Sequence, residues 1–471
     1  MSAPTTHPTL TETSANELRR TLHGTVLLPS DDGYDASRRA WNAMVDRRPA
    51  IVAQCADTAD VATAIAFGRR EGLELAVKCG THSVLGQAIP EGGLMIDLTP
   101  MNAVRIDPDA RLAYVQGGAL LGNMDRASAE HGLATTAGNV SHTGVGGLTL
   151  GGGMGWLARQ FGMACDNVVA FEVVTADGAV TTASEAENPD LYWGLRGGGG
   201  NFGVVTEFTF RLHPISGRAL TVDFFYPEDA GLAVLRGFRA FAKTAPREAT
   251  PTAWVGTAPE WPFLPTELHG ARLVNAGFVW VGDPEEGRAL VPTFREIATP
   301  VAEVIDEVSY VELQSGSDQA MQHAMRRYWK GHYLRELPDD AIEAFLSRGG
   351  TVGEGEFQAN ASLQGYGGAI AEVGIGDTAF SHRDARFEFV TVSGWEDPAE
   401  DEPRMRASRR FAAAIEPFAS GVYVNGLADE GAAGLRAAYR AETLARLTAL
   451  KDRYDPENVF HLNHNIAPSG R

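Results

Sequence analysis

Short apolar runs separated by turn residues dominate the first half of the chain. Ile51 to Gln54 reads as a strand. Asp57 or Thr58 can cap a following helix that carries Val61, Ile65 and Phe67 and stops at Glu71-Gly72. Leu75 to Lys78 is a second strand, which completes a β-α-β unit and runs straight into Gly80-Thr81-His82-Ser83. Loops at the carboxyl ends of such strands are where ligands usually bind. Further strands are predicted over Leu94 to Leu98, Ala103 to Ile106 and Leu112 to Gln116, with Asp107-Pro108-Asp109 as a turn. Val168 to Thr175 and Ala179 to Ala183 flank Asp177-Gly178, a hairpin signal. From 204 to 212, Val205, Glu207, Thr209 and Arg211 alternate with Val204, Thr206, Phe208 and Phe210. Near the C-terminus, Gly434 to Arg453 reads as one helix with Leu444, Leu447 and Leu450 toward one face, ending before Asp455-Pro456. The pattern predicts an α+β fold.

Glycine breaks this pattern in three places. Residues 138 to 155 read GNVSHTGVGGLTLGGGMG, Gly197 to Gly203 read GGGGNFG, and the turn at Gly80 is the third. Interior glycines weaken helices and strands, so such runs belong where the backbone must approach something closely. Backbone N–H groups with no side chains in the way can cradle phosphates and ring edges, which makes a large anionic cofactor the candidate ligand. Two segments also fit a dinucleotide fingerprint, Gly153 to Ala158 and Gly198 to Gly203. That fingerprint needs a strand before it and a helix after it. The first follows more glycine, and Asp177 is better read as a turn residue than as its ribose ligand. The second leads into a strand. Neither supports a Rossmann site.

Composition narrows the class. The chain of 471 residues suggests two or three domains, and 44% hydrophobic with 21% charged residues is that of a globular protein. A net charge of −20 argues against nucleic-acid phosphate and anionic membranes as partners. Cys55, Cys79 and Cys165 are too scattered for a disulfide framework or a metal motif. His461 and His464 share an i, i+3 spacing but have no third ligand at coherent spacing, so no metal is expected. The N-terminal segment has no basic start and apolar core, and no run is long enough to span a bilayer. A cytoplasmic setting is the expectation.

Four segments together resemble the berberine-bridge-enzyme-like branch of the vanillyl-alcohol-oxidase and p-cresol-methylhydroxylase (PCMH) flavoproteins. They are VKCGTHSVLGQAIPEGGLMIDL, TGVGGLTLGGGMGWLARQFGMACDNV, DLYWGLRGGGGNFGVVTEFTFRLHP and RLTALKDRYDPENVFHLNHNIAP. The matches cover roughly residues 46–217 and 420–468, with weaker similarity between. The resemblance implies a two-lobed PCMH-type FAD-binding domain over 46–217, with 1–45 packed on it. It also implies a substrate domain with an antiparallel sheet over 218–420, and a segment 421–471 that returns to complete the FAD domain.

The resemblance further implies that Lys78, Cys79, Gly80, Thr81, Ser83 and Gly86 surround the FAD pyrophosphate and that His82 bonds the flavin 8α-methyl carbon. That bond is chemically sensible, because the methyl is electrophilic in its quinone-methide tautomer and neutral imidazole is a nucleophile near pH 7. Further cofactor contacts are implied for Gly138, Ser141, His142, Gly144, Gly147, Gly152, Gly153, Gly155, Gly203, Val204, Val205, Asn463 and Asn465. Some members attach the flavin a second time through a cysteine. Val140 stands at that position here, so a single link is implied. Thr143 falls where the family keeps a small residue beside the oxygen-reactive carbon.

Flavin supplies the redox chemistry, so the protein must supply a proton acceptor. Tyr423, in GVYVNG, matches a Tyr-x-Asn motif and is the first candidate for the base. Tyr366 and Glu388 are weaker candidates, followed by Glu372 and His382. The aromatic residues Phe278, Trp280, Tyr328, Trp329 and Trp395 belong to the region expected to form the substrate pocket. The expected protein is an FAD-dependent oxidase, monomer or homodimer. It would take a hydride from a small alcohol, amine or activated carbon, natural-product intermediates among them, and return two electrons to O2 as H2O2. A dehydrogenase with another acceptor and a non-redox flavin-bound scaffold stay open as alternatives.

Overall fold

The computed structural model describes residues 11–351, 353, 356–428 and 430–470. Its first layer is a four-stranded sheet in the order Thr25–Leu27, Ile51–Gln54, Leu94–Asp97, Leu75–Lys78. The β-α-β unit is present, with Asp57 capping the helix Thr58–Glu71 through the Asp60 N–H and Gly72 closing it at φ 68°. Its two strands are not neighbours, however. Leu94–Asp97 lies between them, parallel to both. The reason is burial: all four of its residues are buried, so it takes the central position.

A five-stranded sheet follows, in the order Val104–Asp107, Leu112–Gln116, Val204–Arg211, Val168–Val174, Val180–Ser184. Thr175 to Ala179 forms the predicted hairpin turn, with the Asp177 carboxylate accepting from Thr175 Oγ1 at 2.5 Å and Gly178 at φ 83°. Asp177 is a turn residue. The run after Gly198 does enter a strand, Val204–Arg211.

The third layer is a seven-stranded antiparallel sheet. Its order is Ala302–Ser309, Arg218–Pro227, Arg272–Val281, Ala249–Thr257, Asn360–Gly365, Phe387–Trp395, Arg326–Leu334. Helices Gly231–Thr244, Asp339–Ser347 and Asp401–Ile415 cover one face, where Phe238, Phe241, Phe345, Phe389 and Phe411 share a core. Strict alternation then turns Glu388, Val390 and Val392 to the other face.

Two elements depart from the sequence reading. The glycine-rich run contains a helix, Val145–Leu150, whose Val145 and Leu150 are buried beside Phe208. Tertiary burial outweighs the poor helix propensity of its glycines. The predicted helix from Gly434 to Arg453 is two helices, Gly431–Ala438 and Ala441–Tyr454. Tyr439 and Arg440 between them are extended, and the buried Tyr439 hydroxyl donates to the Gly197 carbonyl at 2.9 Å. That hydrogen bond and the Arg440 contact with the Ser381 carbonyl compensate the broken turn.

The second of these helices fastens the C-terminal segment. Lys451 Nζ donates to the Asn201 and Phe460 carbonyls, both at 2.9 Å, and to Asp455 Oδ2 at 2.6 Å, with both side chains fully buried. Asp455 also accepts the N–H groups of Val459 and Phe460. A buried ion pair needs this degree of satisfaction. It ties the glycine run Gly197–Gly203 to residues 455–464.

Candidate active site

One cavity of about 490 Å³ runs between these layers and collects residues from all four resembling segments. On one side it is walled by backbone. Cys79 to Ser83, Gly144, Gly147 and Gly198 to Gly200 line it. The loops at Gly80 and Gly144 touch: a Cβ at Gly80 would lie 2.2 Å from the Gly144 nitrogen, and one at Gly144 would lie 2.5 Å from the Gly80 nitrogen. Only glycine permits that approach. Gly147 and Gly200 face open space.

Thr81 holds φ 59°, a strained conformation for a β-branched residue. Its hydroxyl accepts the Trp41 N–H at 3.1 Å, which offsets part of that cost. The strain presents His82 to the cavity. Trp41 stacks on the His82 ring with centroids 4.6 Å apart and planes 17° apart. His82 Nε2 is hydrogen-bonded to His142 Nδ1 at 2.8 Å, and His82 Nδ1 lies 3.4 Å from the Thr143 hydroxyl. Burial, with Coulomb repulsion from His142, His323 and Arg327, holds the His82 pKa down to about 3. The imidazole is therefore neutral and nucleophilic at pH 7. Among the described residues, no backbone carbonyl takes the N–H groups of Thr81, His82 or Ser83.

The opposite wall is made of side chains from the seven-stranded sheet. Trp329, Gly331, Gln364, Glu388, Val390 and Val392 face the cavity. Glu388 pairs in register with Gln364 on one side and Tyr333 on the other. Tyr366 donates to Glu388 Oε2 at 2.8 Å, and burial pushes the carboxyl up to about 7. Tyr423 reaches the same space. Its oxygen accepts the Gly153 N–H at 2.8 Å and Asn425 Nδ2 at 3.0 Å, while burial raises its pKa above the usual tyrosine range.

Several expected site residues sit differently. Lys78 pairs with the fully buried Asp97 at 3.0 Å and stays off the cavity wall. Gly86, Ser141, His142, Gly152, Gly153, Gly155 and Asn465 do not line the cavity, whereas Gly138, Thr143, Gly203, Val204, Val205 and Asn463 do. Gly153 acts through its N–H on Tyr423. Tyr366 does not line the cavity, but its hydroxyl bonds the lining residue Glu388. Glu372 is exposed and paired with Arg247, and His382 bonds the Ala437 carbonyl at 3.0 Å. Of the pocket aromatics, Trp329 faces the cavity, while Phe278 and Trp280 belong to the helix-covered core. Tyr328 and Trp395 pack against Ala428. Val140 lines the cavity, and Cys165 is fully buried off its wall, in an apolar cluster with Met154 and Tyr366.

Trp41, Asn139, Gln364 and Asn425 line the cavity without having been singled out, and so does His464, which the sequence presented only as a possible metal ligand. For Asn425 the signal was present, as the third residue of the Tyr-x-Asn motif. His323 has none in the sequence. It joins His82 and His142 in a group in which one ring nitrogen from each lies within 4.8 Å of the others.

The cavity fits FAD on the protein's own terms. The glycine cradle leaves room that any side chain would fill. The side-chain oxygens of Asn463 and Asn139 and the Gln364 amide nitrogen are buried without partners. Comparison with known proteins agrees. The FAD binding domain family matches residues 49–184, and the berberine and berberine-like family matches 422–467. An FAD-linked oxidoreductase of Dictyostelium discoideum is 29% identical over 460 residues, covering 96% of each chain. The (R)-6-hydroxynicotine oxidase of Paenarthrobacter nicotinovorans is 29% identical over 468 residues, covering 95% of this chain and 98% of the relative. Among solved structures, 6-hydroxy-D-nicotine oxidase from Arthrobacter nicotinovorans has a TM-score of 0.83 at 27% identity, covering 95% of this chain and 98% of that one. Glucooligosaccharide oxidase from Acremonium strictum, which carries 6-S-cysteinyl, 8α-N1-histidyl FAD, has a TM-score of 0.85 at 25% identity, covering 97% and 99%. The fold and site define an FAD-dependent oxidoreductase with a PCMH-type α+β architecture. The chain carries the FAD binding domain and, near its C-terminus, the berberine-like segment. Among the described residues, no helix is long and apolar enough to cross a membrane.

Proposed function

We propose that the protein is an oxidase that removes a hydride from a carbon bearing oxygen or nitrogen and returns two electrons to O2 as H2O2, with FAD held by a single covalent bond to His82. The observation that carries this reading is the meeting of a neutral, stacked histidine, a backbone cradle and a buried carboxylate in one cavity. When bound, FAD supplies the hydride acceptor. The free N–H groups at 81–83 suit its phosphates, and the amides of Asn463 and Asn139 suit its ring heteroatoms. Valine at 140 and the burial of Cys165 elsewhere support one link only. Thr143 keeps a small side chain beside His82, which leaves room for O2.

Glu388 is the proton acceptor in this reading. Its pKa of about 7 suits a base working near neutrality, and Tyr366 holds its second oxygen. Tyr423 takes a different part. Two donors already occupy its oxygen, which leaves its own proton free to donate to the substrate oxygen or nitrogen. The substrate domain of this reading is the region 218–420. The FAD domain spans 46–217 with 1–45 packed on it, and 421–471 closes it. The free cysteines Cys55, Cys79 and Cys165 suit a reducing cytoplasm.

The test is anaerobic mixing of the yellow protein with sugars, secondary alcohols and cyclic amines, followed by O2. Bleaching of the flavin band with rapid recolouring and stoichiometric H2O2 is expected. Bleaching with slow recolouring would make the protein a dehydrogenase, and absence of bleaching across the panel would leave a non-redox scaffold. Acid-precipitated wild type should stay yellow, and His82→Ala should release its flavin.

A further inference from the structure

We propose that His142 is the proton acceptor that arms His82 for bond formation with the flavin, and that His323 passes the proton on to solvent. The inference rests on the covalent link to His82 proposed above. His142 acts on His82 and not on substrate, so it is a positioning residue.

The argument begins with tautomers. An imidazole nitrogen can attack carbon only through a free lone pair, so the ring proton must sit on the other nitrogen. His82 Nδ1 is the nitrogen beside Thr143, on the cavity wall, and His82 Nε2 faces His142 Nδ1 at 2.8 Å. If His142 Nδ1 accepts, the His82 proton is fixed on Nε2 and Nδ1 is free. His142 Nε2 then carries the hydrogen of its own ring, and this nitrogen is buried without a protein partner. Trp41 fixes the plane of the His82 ring, so Nε2 cannot swing away from His142 without breaking the stack.

The loop that carries His142 is clamped from across the cavity. Asp318 accepts the Ser141 N–H at 2.8 Å and the Ser141 hydroxyl at 2.6 Å. The same stretch of chain brings His323 over His142, with ring centroids 5.1 Å apart, and His323 is exposed. No hydrogen bond joins the two rings, so the proton passes on when the exposed His323 ring turns toward His142 Nε2. Burial and the nearby Arg327 lower the pKa of His323, so it gives the proton up readily.

The step balances as follows. The flavin 8α-methyl loses one proton to solvent, and the electron pair of that C–H bond remains on the ring system. His82 Nδ1 forms the bond to the 8α carbon as the His82 Nε2 proton moves to His142 Nδ1. The flavin is left reduced by two electrons. O2 takes those electrons with two protons and leaves as H2O2. In sum, one C–H and one N–H are exchanged for one C–N bond, and one O2 is reduced.

The experiment uses full-length protein made under riboflavin starvation and mixed with FAD in air. Flavin that stays with acid-precipitated protein reports attachment, and quenching of FAD fluorescence reports binding. His142→Ala should bind FAD yet attach it about 10²-fold more slowly or worse, the usual cost of losing a general base. Added imidazole should restore much of the rate by filling the vacated space. Attachment by His142→Ala at the wild-type rate, or slow attachment that imidazole does not rescue, would overturn the proposal. Should His142→Ala fail to bind FAD, His323→Ala decides. Attachment slowed several-fold supports the relay, and the wild-type rate refutes it. Wild-type protein with no acid-stable flavin would instead sink the covalent link itself, an outcome separate from any behaviour of His142.

Discussion

The two walls of the cavity are built by different means. The wall beneath the cofactor is backbone: Gly80 against Gly144, Gly147 and Gly200 left bare, and N–H groups at 81–83 with no backbone partner. The opposite wall, which meets the substrate in the proposed reading, is a pleated sheet whose every second side chain points inward, Glu388, Val390 and Val392 among them. Backbone geometry tolerates almost no substitution and binds a constant partner. Sheet side chains can be exchanged one at a time without disturbing the strand. The first wall therefore suits a shared cofactor, and the second suits a substrate that differs from relative to relative.

The largest expected effect breaks the first wall. Gly80→Ala places a methyl 2.2 Å from the Gly144 nitrogen, a contact that no rotamer relieves. The two loops must part, and the cradle with them. Purified protein should be nearly colourless, with its flavin-to-protein absorbance ratio close to zero. A fully loaded, yellow Gly80→Ala protein would show that the contact between the loops is not what forms the site.

The same contrast explains what the sequence made legible. Glycine runs are visible in one dimension because each position is constrained by its own backbone, so the loops of the cofactor wall were legible, but not which of their residues line the cavity: Gly80, Gly144 and Gly147 do, and Gly152, Gly153 and Gly155 do not. The strand beginning at Val204 and the hairpin at Asp177-Gly178 were visible for the same local reason. Alternation shows that Glu388 and Val390 share a face, but not which face meets the cavity. That depends on the helices Gly231–Thr244, Asp339–Ser347 and Asp401–Ile415 covering the other side. Trp41 and His323 were hidden because they come from distant segments and carry no motif. The broken C-terminal helix was hidden because its cause, Tyr439 reaching the Gly197 carbonyl, lies 242 residues away in sequence.

The next effect belongs to the second wall. Glu388→Gln keeps the shape and removes the proposed base, so flavin reduction should slow by about 10² to 10⁴ while flavin content stays that of wild type. The sign of the pH dependence follows from the direction of its pKa. A carboxyl raised to about 7 is protonated and idle at acid pH, so the wild-type reduction rate should climb as pH rises through about 7. Stopped-flow reduction across pH 5 to 9 should lose that climb in Glu388→Gln. A variant that keeps the climb would move the base elsewhere.

A third perturbation tests the fastening of the cofactor wall from behind. Lys451→Met leaves the Asp455 charge buried and frees the Asn201 and Phe460 carbonyls. Breaking one partner of a buried pair costs about 3–5 kcal/mol. Denaturant unfolding should show a loss of that order, with FAD binding weakened and flavin reduction little changed in the fraction that stays loaded. Unchanged stability would mean that the C-terminal segment is held by Leu447 and Leu450 alone.

The smallest effect is the most diagnostic, because Tyr423 stands where the two walls meet. Its oxygen is held by the Gly153 N–H from the cofactor side and by Asn425. Were it the base, it would have to ionise against a burial that raises its pKa, although the two donors favour the phenolate. Glu388, at about 7, ionises more easily. Tyr423→Phe therefore removes one hydrogen bond to the substrate and leaves two donors without an acceptor, a loss of about 1–3 kcal/mol. The expected result is a decrease of roughly tenfold in flavin reduction, an intact climb through about pH 7, and unchanged reoxidation by O2. A loss as large as that of Glu388→Gln, with the climb abolished, would exchange the roles of the two residues. The base would then belong to the C-terminal segment that closes the cofactor wall, and the sheet would serve only to shape the substrate.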